Sequence, residues 1–270
     1  LSMAITWKLA RRWRALSKFW LKMETKCGLE FPPDTRIRRR VIFVASFVAV
    51  CAIVEHMLSM MSATGFDCPP REYLQRYILS SHGFLVTQHE YSLWLAIPIF
   101  ILSKLATVLW NFQDLIIILM SMGLTSRYNR LNVFVQRVVT FENEMKSHFR
   151  NGFGHLVARV HVWRRLRTAF VHQAQLVKKV DQCLGGLILL SNLNNLYFIC
   201  LQLFLGIRLR GTAINRIYYL YSLCWLLFRA SGVLLAAGDV QLHSKRALHS
   251  LYSCAGAAYN IEVSQTDVDF

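Results

Sequence analysis

Three of the most apolar stretches of the chain each carry a small polar cluster: Glu55 with His56, Trp110 and Asn111 with Asp114, and Asn192 through Asn195 with Tyr197. An unpaired carboxylate or amide in hydrocarbon is costly, so such groups face a partner, a water-filled cavity or a ligand. Asn111 and Asp114 are three apart and share a helix face, with Trp110 beside that face. Carboxylates and amides that accept and donate, next to indole and phenol rings that stack on C–H faces, suit a neutral polyhydroxylated ligand such as a sugar. The same groups also suit a purely structural network, with Glu55 and His56 satisfying each other across a helix pair, or Asp114 pairing with Lys104 or Arg229.

The elements that must position these clusters are helices in a membrane. Hydrophobic residues make up 54% of the chain, charged residues 17%, and the mean hydropathy is +0.34, all on the apolar side of an ordinary soluble domain. Residues 41–63, 93–126, 183–207 and 217–240 each offer roughly 20 or more mostly apolar residues, enough to span a bilayer. Strand-like alternation in segments of roughly ten residues is absent, which argues against an outer-membrane barrel and for helices. The expected fold is all-α, a polytopic membrane helical bundle with four transmembrane helices. At about 1.5 Å per residue, Glu55 and His56 lie near 21 Å along the first span, and the Trp110 and Asn192–Tyr197 clusters reach a similar depth.

Orientation follows from the 31 Lys and Arg residues. Eleven precede Val41, two lie in 64–92, eleven in 127–180 and three in 208–216. The positive-inside rule therefore puts 1–40, 127–182 and 241–270 in the cytoplasm and the 64–92 and 208–216 loops outside. In the first segment Trp7, Leu9, Trp13, Leu16, Phe19, Trp20 and Met23 interleave with Lys8, Arg11, Arg12, Arg14, Lys18 and Lys22. This is a basic amphipathic helix suited to membrane lipid or to capping a bundle. In 127–182, Leu131, Val133, Phe134, Val138 and Phe141, then Leu156, Val160, Trp163, Leu166 and Phe170, recur at helical spacing on either side of a break at Asn151–Gly154. The pattern predicts paired cytoplasmic helices.

Other classes find no support. The formal net charge of +16 comes without zinc-finger spacing, an aromatic RNA-binding motif or a Gly-rich phosphate loop, so no nucleic-acid partner is expected. His82, His89, Asp67 and Glu90 are scattered, and no nucleophile elbow, catalytic carboxylate pair or HExxH helix occurs, so neither an enzyme nor a cofactor or metal site is expected. The seven cysteines form no disulfide framework. Cys51, Cys183, Cys200 and Cys224 fall in or at the spans, Cys27 and Cys254 in cytoplasmic segments, and only Cys68 in an outer loop.

LARRWRALSKFW at 9–20, IVEHMLSM at 53–60, VLWNFQDLIIILMSMGLTSRYNRLN at 108–132, LSNLNNLYFICLQL at 190–203 and GDVQLHSKRAL at 238–248 together resemble the insect gustatory receptors, and within them the sugar-receptor branch. The resemblance runs over essentially the whole chain. It implies a taste receptor for sugars in the plasma membrane of chemosensory neurons, multi-pass with a cytoplasmic N-terminus, working as a seven-helix ligand-gated cation channel. Homo- or hetero-tetramers with other gustatory receptors are implied as well. The four spans would correspond to the family's third through sixth helices, and the final pore-lining helix with its TYxxxxxQF-like signature has no counterpart, so the chain is expected to be a fragment. Carried onto this sequence, the sugar-binding positions are Glu55, His56, Trp110, Asn111, Asp114, Asn194, Asn195 and Tyr197. Asn192 is left out because its helical position turns it partly away from Asn195.

Two other membrane classes place polar groups at such depth. A secondary transporter of a small polar solute would show internal repeats and interrupted helices, whereas Pro98 is the one proline within the spans. A G-protein-coupled receptor would put the N-terminal side outside, against the lysine and arginine distribution.

Overall fold

The computed structural model describes residues 2–26, 34–65, 68–86, 88–148, 153–207 and 213–252. All regular structure in them is helical: α1 (Ser2–Lys26), α2 (Ile37–Thr64), α3 (Tyr73–His82), a short 3-10 turn (Gln88–Glu90), α4 (Leu93–His148), α5 (Phe153–Ile207) and α6 (Ala213–Tyr252). Four stretches are long and apolar enough to cross a membrane: Ile37–Thr64, Leu93–Phe141, His161–Gly206 and Ala213–Arg246. These helices extend beyond the 41–63, 93–126, 183–207 and 217–240 expected from hydropathy. Helix propensity does not end where hydropathy does, and nothing in Thr125–Val139 or Arg164–Cys183 breaks a helix. Pro98 sits in the second turn of α4, where it removes a single backbone bond near the helix start.

The chain divides into two compact units, one of residues 1–3, 42–116 and 187–233, the other of 4–41, 117–186 and 234–270. In the first unit, α2 leaves Phe43, Val50, Val54 and Met57 exposed at helical spacing, and α4 exposes Leu93, Trp94, Leu102, Leu105 and Val108. Surface of that kind belongs against lipid. The inward faces are joined by polar contacts: Ser62 to Asn215 (2.9 Å) and the Tyr221 hydroxyl to the Cys51 carbonyl (3.0 Å) tie α2 to α6. Phe47 meets Trp225 and Phe228 edge-on in the same seam. Gly65, with φ +75°, ends α2 in a left-handed turn whose N–H bonds the Met61 carbonyl at 2.9 Å.

The 64–92 segment, expected as a loop, carries α3 and the 3-10 turn. Tyr77, Ile78, Val86 and Ala96 are buried together and packed by Met60, Ala63, Leu74 and Phe100. Tyr77 and Ile78 are adjacent residues in a ten-residue helix, too short a signal for periodicity to register. His82 of α3 lies within 3.2 Å of the Ser103 hydroxyl and edge-on to Tyr77. Burial, and secondarily the Lys104 ammonium, hold its pKa below the ordinary histidine value. A base with a depressed folded-state pKa contributes stability that is fully present above its unfolded pKa of about 6.5 and lost as pH falls from there toward the folded value. The thermal midpoint is therefore expected to drop more between pH 7 and 5 in the wild type than in His82→Gln. Equal slopes would show that α3 does not depend on a neutral His82.

The second unit is a helix packing of its own. Tyr128, Leu131, Val135 and Val139 of α4 bury against Trp163, Leu166, Ala169 and Phe170 of α5. Pairing of the 127–148 and 161–180 helices follows the expected pattern, but its face is rotated: Phe141 is exposed, Phe134 and Val138 sit at the margin, and Val135 and Val139 form the seam. The spacing Tyr128, Leu131, Val135, Val139 keeps one stripe of a 3.6-residue helix, whereas Phe141 falls two residues past Val139 and so on the far side. The side chains of Leu156 and Val160 lie outside the described residues, as do Cys27 and Cys254.

Helix α1 buries Leu9, Leu16 and Met23, seven apart, and exposes Trp7, Arg11, Arg14 and Lys18. Trp20 packs on Gly123, where a Cβ would come to 3.2 Å of the indole, and Glu24 lies 3.8 Å from both Arg127 and Arg130. Asp34 starts α2 by accepting from the Arg36 and Ile37 N–H groups at 3.0 and 3.1 Å while the Ser126 hydroxyl donates to its other oxygen at 2.6 Å. Those bonds, the serine's first, keep its carboxyl below the usual carboxylate range.

Candidate functional site

Within the first unit, α2, α4, α5 and α6 each bring a polar stripe inward. On α2 it is Glu55, Ser59 and Ser62; on α4, Lys104, Thr107, Asn111 and Asp114; on α5, Ser191, Asn195 and Gln202; on α6, Tyr218, Ser222 and Arg229. Every set follows the three, four or seven spacing of one helix face. Phe43, Val50, Leu105 and Leu196, outside these stripes, are exposed, whereas Leu187, Leu226 and Val233 are buried among the inward faces.

The polar groups assemble into two adjoining features. The first is a buried ion-pair network. Arg229 is 3% exposed and Asp114 1%. The Arg229 Nε donates to Asp114 Oδ2 at 2.9 Å, one terminal nitrogen to Asn111 Oδ1 at 2.6 Å and the other to Asn195 Oδ1 at 3.4 Å. Ser191 donates its hydroxyl to the second Asp114 oxygen, and the Asn195 amide also approaches the carboxylate. Both carboxylate oxygens and all three nitrogens of the guanidinium are thus used, which is what a charge pair in a low-dielectric bundle requires. The Trp110 indole N–H bonds Asn195 Oδ1 at 3.2 Å, and its ring carries the Arg229 guanidinium 4.6 Å from the centroid.

The second feature is a cavity of about 160 Å³ lined by Glu55, His56, Ser59, Tyr77, Thr107, Trp110, Phe198, Gln202, Tyr218, Ser222, Leu226 and Arg229. The Ser222 hydroxyl donates to Glu55 at 2.9 Å and Gln202 reaches Ser222 at 3.4 Å. Phe198 covers Trp110 with ring centroids 4.2 Å apart. Tyr77 is held by Lys104, whose ammonium donates to its hydroxyl at 2.9 Å and stands 4.2 Å from its ring centroid.

Of the eight residues picked out in the sequence, Glu55, His56 and Trp110 line the cavity. Asn111, Asp114 and Asn195 belong to the network, in contact with the cavity through Arg229 and Trp110. Asn194 is half-buried away from it, and Tyr197 is 62% exposed and meets Phe198 edge-on. Tyr197 follows Asn195 by two residues, about 200° around the helix, so the two cannot face the same space. Of the structural alternatives, Asp114 takes Arg229 while Lys104 goes to Tyr77, and Glu55 takes Ser222 rather than His56. Ser59, Ser191, Gln202, Tyr218 and Ser222 were not anticipated. Serine, glutamine and tyrosine are individually unremarkable in a span, but their spacing from Glu55, Asn195 and Arg229 marks them. Among the described residues no group of three or more His, Cys, Asp or Glu could hold a metal ion, and Cys51, Cys68, Cys183, Cys200 and Cys224 are free thiols.

Comparison with known proteins places relatives beside this arrangement. A family model described as "Trehalose receptor" matches residues 1–268. "Gustatory receptor 5a for trehalose" of Drosophila melanogaster is 29% identical over 262 residues, covering 94% of this chain and 55% of that protein. "Gustatory receptor for sugar taste 64a" of the same fly is 28% identical over 272 residues, 96% of this chain and 56% of that protein. "Gustatory receptor for sugar taste 61a" is 28% identical, with coverages of 95% and 58%. The chain spans about half the length of the curated relatives it matches.

Proposed function

The chain belongs to the trehalose receptor family, and on that premise we propose that it forms the sugar-binding helices of a taste receptor whose ligand enters the Glu55, Trp110 and Tyr218 cavity. The family is one of receptors rather than enzymes, and four apolar helices make the chain a multi-pass membrane protein. The observation that carries the reading is a polar cavity with aromatic walls inside an otherwise apolar bundle. Glu55 and Gln202 offer hydrogen bonds to hydroxyls, Tyr218 offers a ring, and Trp110, held by Phe198 and the Arg229 network, closes the wall.

The cavity is small for such a ligand. At about 160 Å³ it falls below the roughly 300–1,000 Å³ usual for small-molecule pockets, so a disaccharide requires wider helix packing than the one seen. Sugar then favours the wider packing by its differential affinity, which is how binding becomes a conformational signal. In the complete receptor that signal opens a cation pore in the plasma membrane of a chemosensory neuron. The N-terminal side and residues 127–182 lie in the cytoplasm, and tetramers form with like or related subunits. Weak, millimolar binding is expected, because each sugar hydroxyl gives up water on entry.

The test is calcium influx in cells expressing the full reading frame, challenged with a panel of sugars including trehalose. Glu55→Gln and Gln202→Leu are expected to raise the half-maximal sugar concentration about tenfold each, one hydrogen bond's worth, at unchanged surface level. Unshifted responses in both would remove the cavity from sugar recognition, and sodium- or proton-coupled sugar uptake without current would make the protein a transporter.

A further inference from the structure

The Glu55 end of the cavity holds an acidic group that is not drawn into the ion-pair network beside it. Asp114 has Arg229 and Lys104 stands on Tyr77, but Glu55 forms no ion pair among the described residues. Beside its carboxylate the cavity wall carries further neutral oxygens. Ser222 donates to it at 2.9 Å, Gln202 approaches Ser222 through its nitrogen, leaving its carbonyl oxygen out of that contact, and the hydroxyls of Ser59 and Tyr218 line the same wall. All five residues, from α2, α5 and α6, line the same cavity.

We infer that this end of the cavity is a monovalent cation site, with the Glu55 carboxylate as its charge and Ser59, Gln202, Tyr218 and Ser222 as neutral oxygen ligands for a sodium-sized ion. One carboxylate among hydroxyls and an amide matches one positive charge. A divalent ion would leave an excess charge in the bundle, and calcium takes six to eight oxygens, several of them ordinarily carboxylate. Oxygen donors of this kind suit a hard cation better than a transition metal, which prefers imidazole or thiolate. Arg229 lines the same cavity but is engaged by Asp114, so binding gives the Glu55 carboxylate a counter-ion of its own and clamps α2, α5 and α6 together. The inference does not depend on sugar binding, since the ion site exists whether or not the rest of the cavity is filled.

The experiment uses the receptor expressed from its full reading frame, purified into nanodiscs without sugar, and unfolded thermally in sodium chloride or N-methyl-D-glucamine chloride at equal ionic strength. Wild type is expected to gain a saturable rise of about 2–4 °C in sodium, by mass action on the folded state. Glu55→Gln should lose that rise, and Ser59→Ala should move its sodium midpoint at least tenfold higher, which keeps the inference testable if the first variant does not fold. Equal midpoints in the two salts for wild type would overturn the site, as would an unaltered sodium response in Glu55→Gln or Ser59→Ala, or an equal rise with calcium at micromolar concentration. Because no sugar is present, failure here leaves the sugar-binding reading untouched, and failure of the calcium-influx test leaves this one.

Discussion

Arg229→Leu is expected to be among the most damaging single substitutions in the chain, costing about 3–5 kcal/mol and most of the surface-expressed protein. It leaves the Asp114 carboxylate, 1% exposed, with hydrogen bonds from Ser191 and Asn195 but no positive charge, and it strips Asn111 and Asn195 of their shared donor. The double variant Asp114→Leu/Arg229→Leu removes both charges. Replacing a buried pair by apolar groups is often close to neutral, so the double variant should be more stable than Arg229→Leu alone despite carrying one more change. Surface biotinylation and the thermal midpoint of the solubilised receptor measure this directly. A double variant worse than either single one would mean that the network's neutral members, not its ion pair, hold α4, α5 and α6 together. The same experiment separates scaffold from ligand contact at Asp114. A scaffold residue lowers the amount of folded receptor, whereas a sugar-contacting one shifts the dose response of the receptor that does reach the surface.

The second large effect lies in the other unit. Trp163 is fully buried among Tyr128, Leu131, Val135, Leu166 and Phe170, and Trp163→Ala is expected to cost about 3–5 kcal/mol. Trp163→Phe should be far milder. The indole N–H of Trp163 is buried without a hydrogen-bond partner, a penalty of about 1–3 kcal/mol that phenylalanine does not carry and that offsets its lost volume. Thermal unfolding should show a drop on the order of 10 °C for the alanine variant, at about 2–4 °C per kcal/mol, and only a few degrees for phenylalanine. Comparable losses would mean that the N–H finds a partner, such as water, in the membrane-embedded protein.

The four apolar helices were legible because hydropathy over about 20 residues is a strong, additive signal. Glu55, Trp110 and Asp114 stood out because ionisable and amide groups in a span are rare and expensive. Pairing was not legible: Asp114 had two cationic candidates, Lys104 in its own span and Arg229 in another, and only packing decides that Arg229 reaches it while Lys104 turns to Tyr77. Helix α3 escaped notice because ten residues with two buried side chains carry too little periodicity. The rotation that exposes Phe141 and buries Val135 is set by angular position, which side-chain size alone does not reveal. Tyr197 was grouped with Asn195 by nearness in sequence, although two residues along a helix point to opposite sides.

Tyr77 has one further consequence, in time rather than in affinity. Its ring is part of the cavity wall and its hydroxyl is tied to Lys104. Under the proposed function, a solute taking a route past α3 would have to loosen that contact both on entry and on exit, so the contact would raise the barrier without deepening the well. Weakening it, as Lys104→Met would, shortens residence and quickens loading by the same factor, so the equilibrium occupancy stays where it was while the signal rises and decays faster.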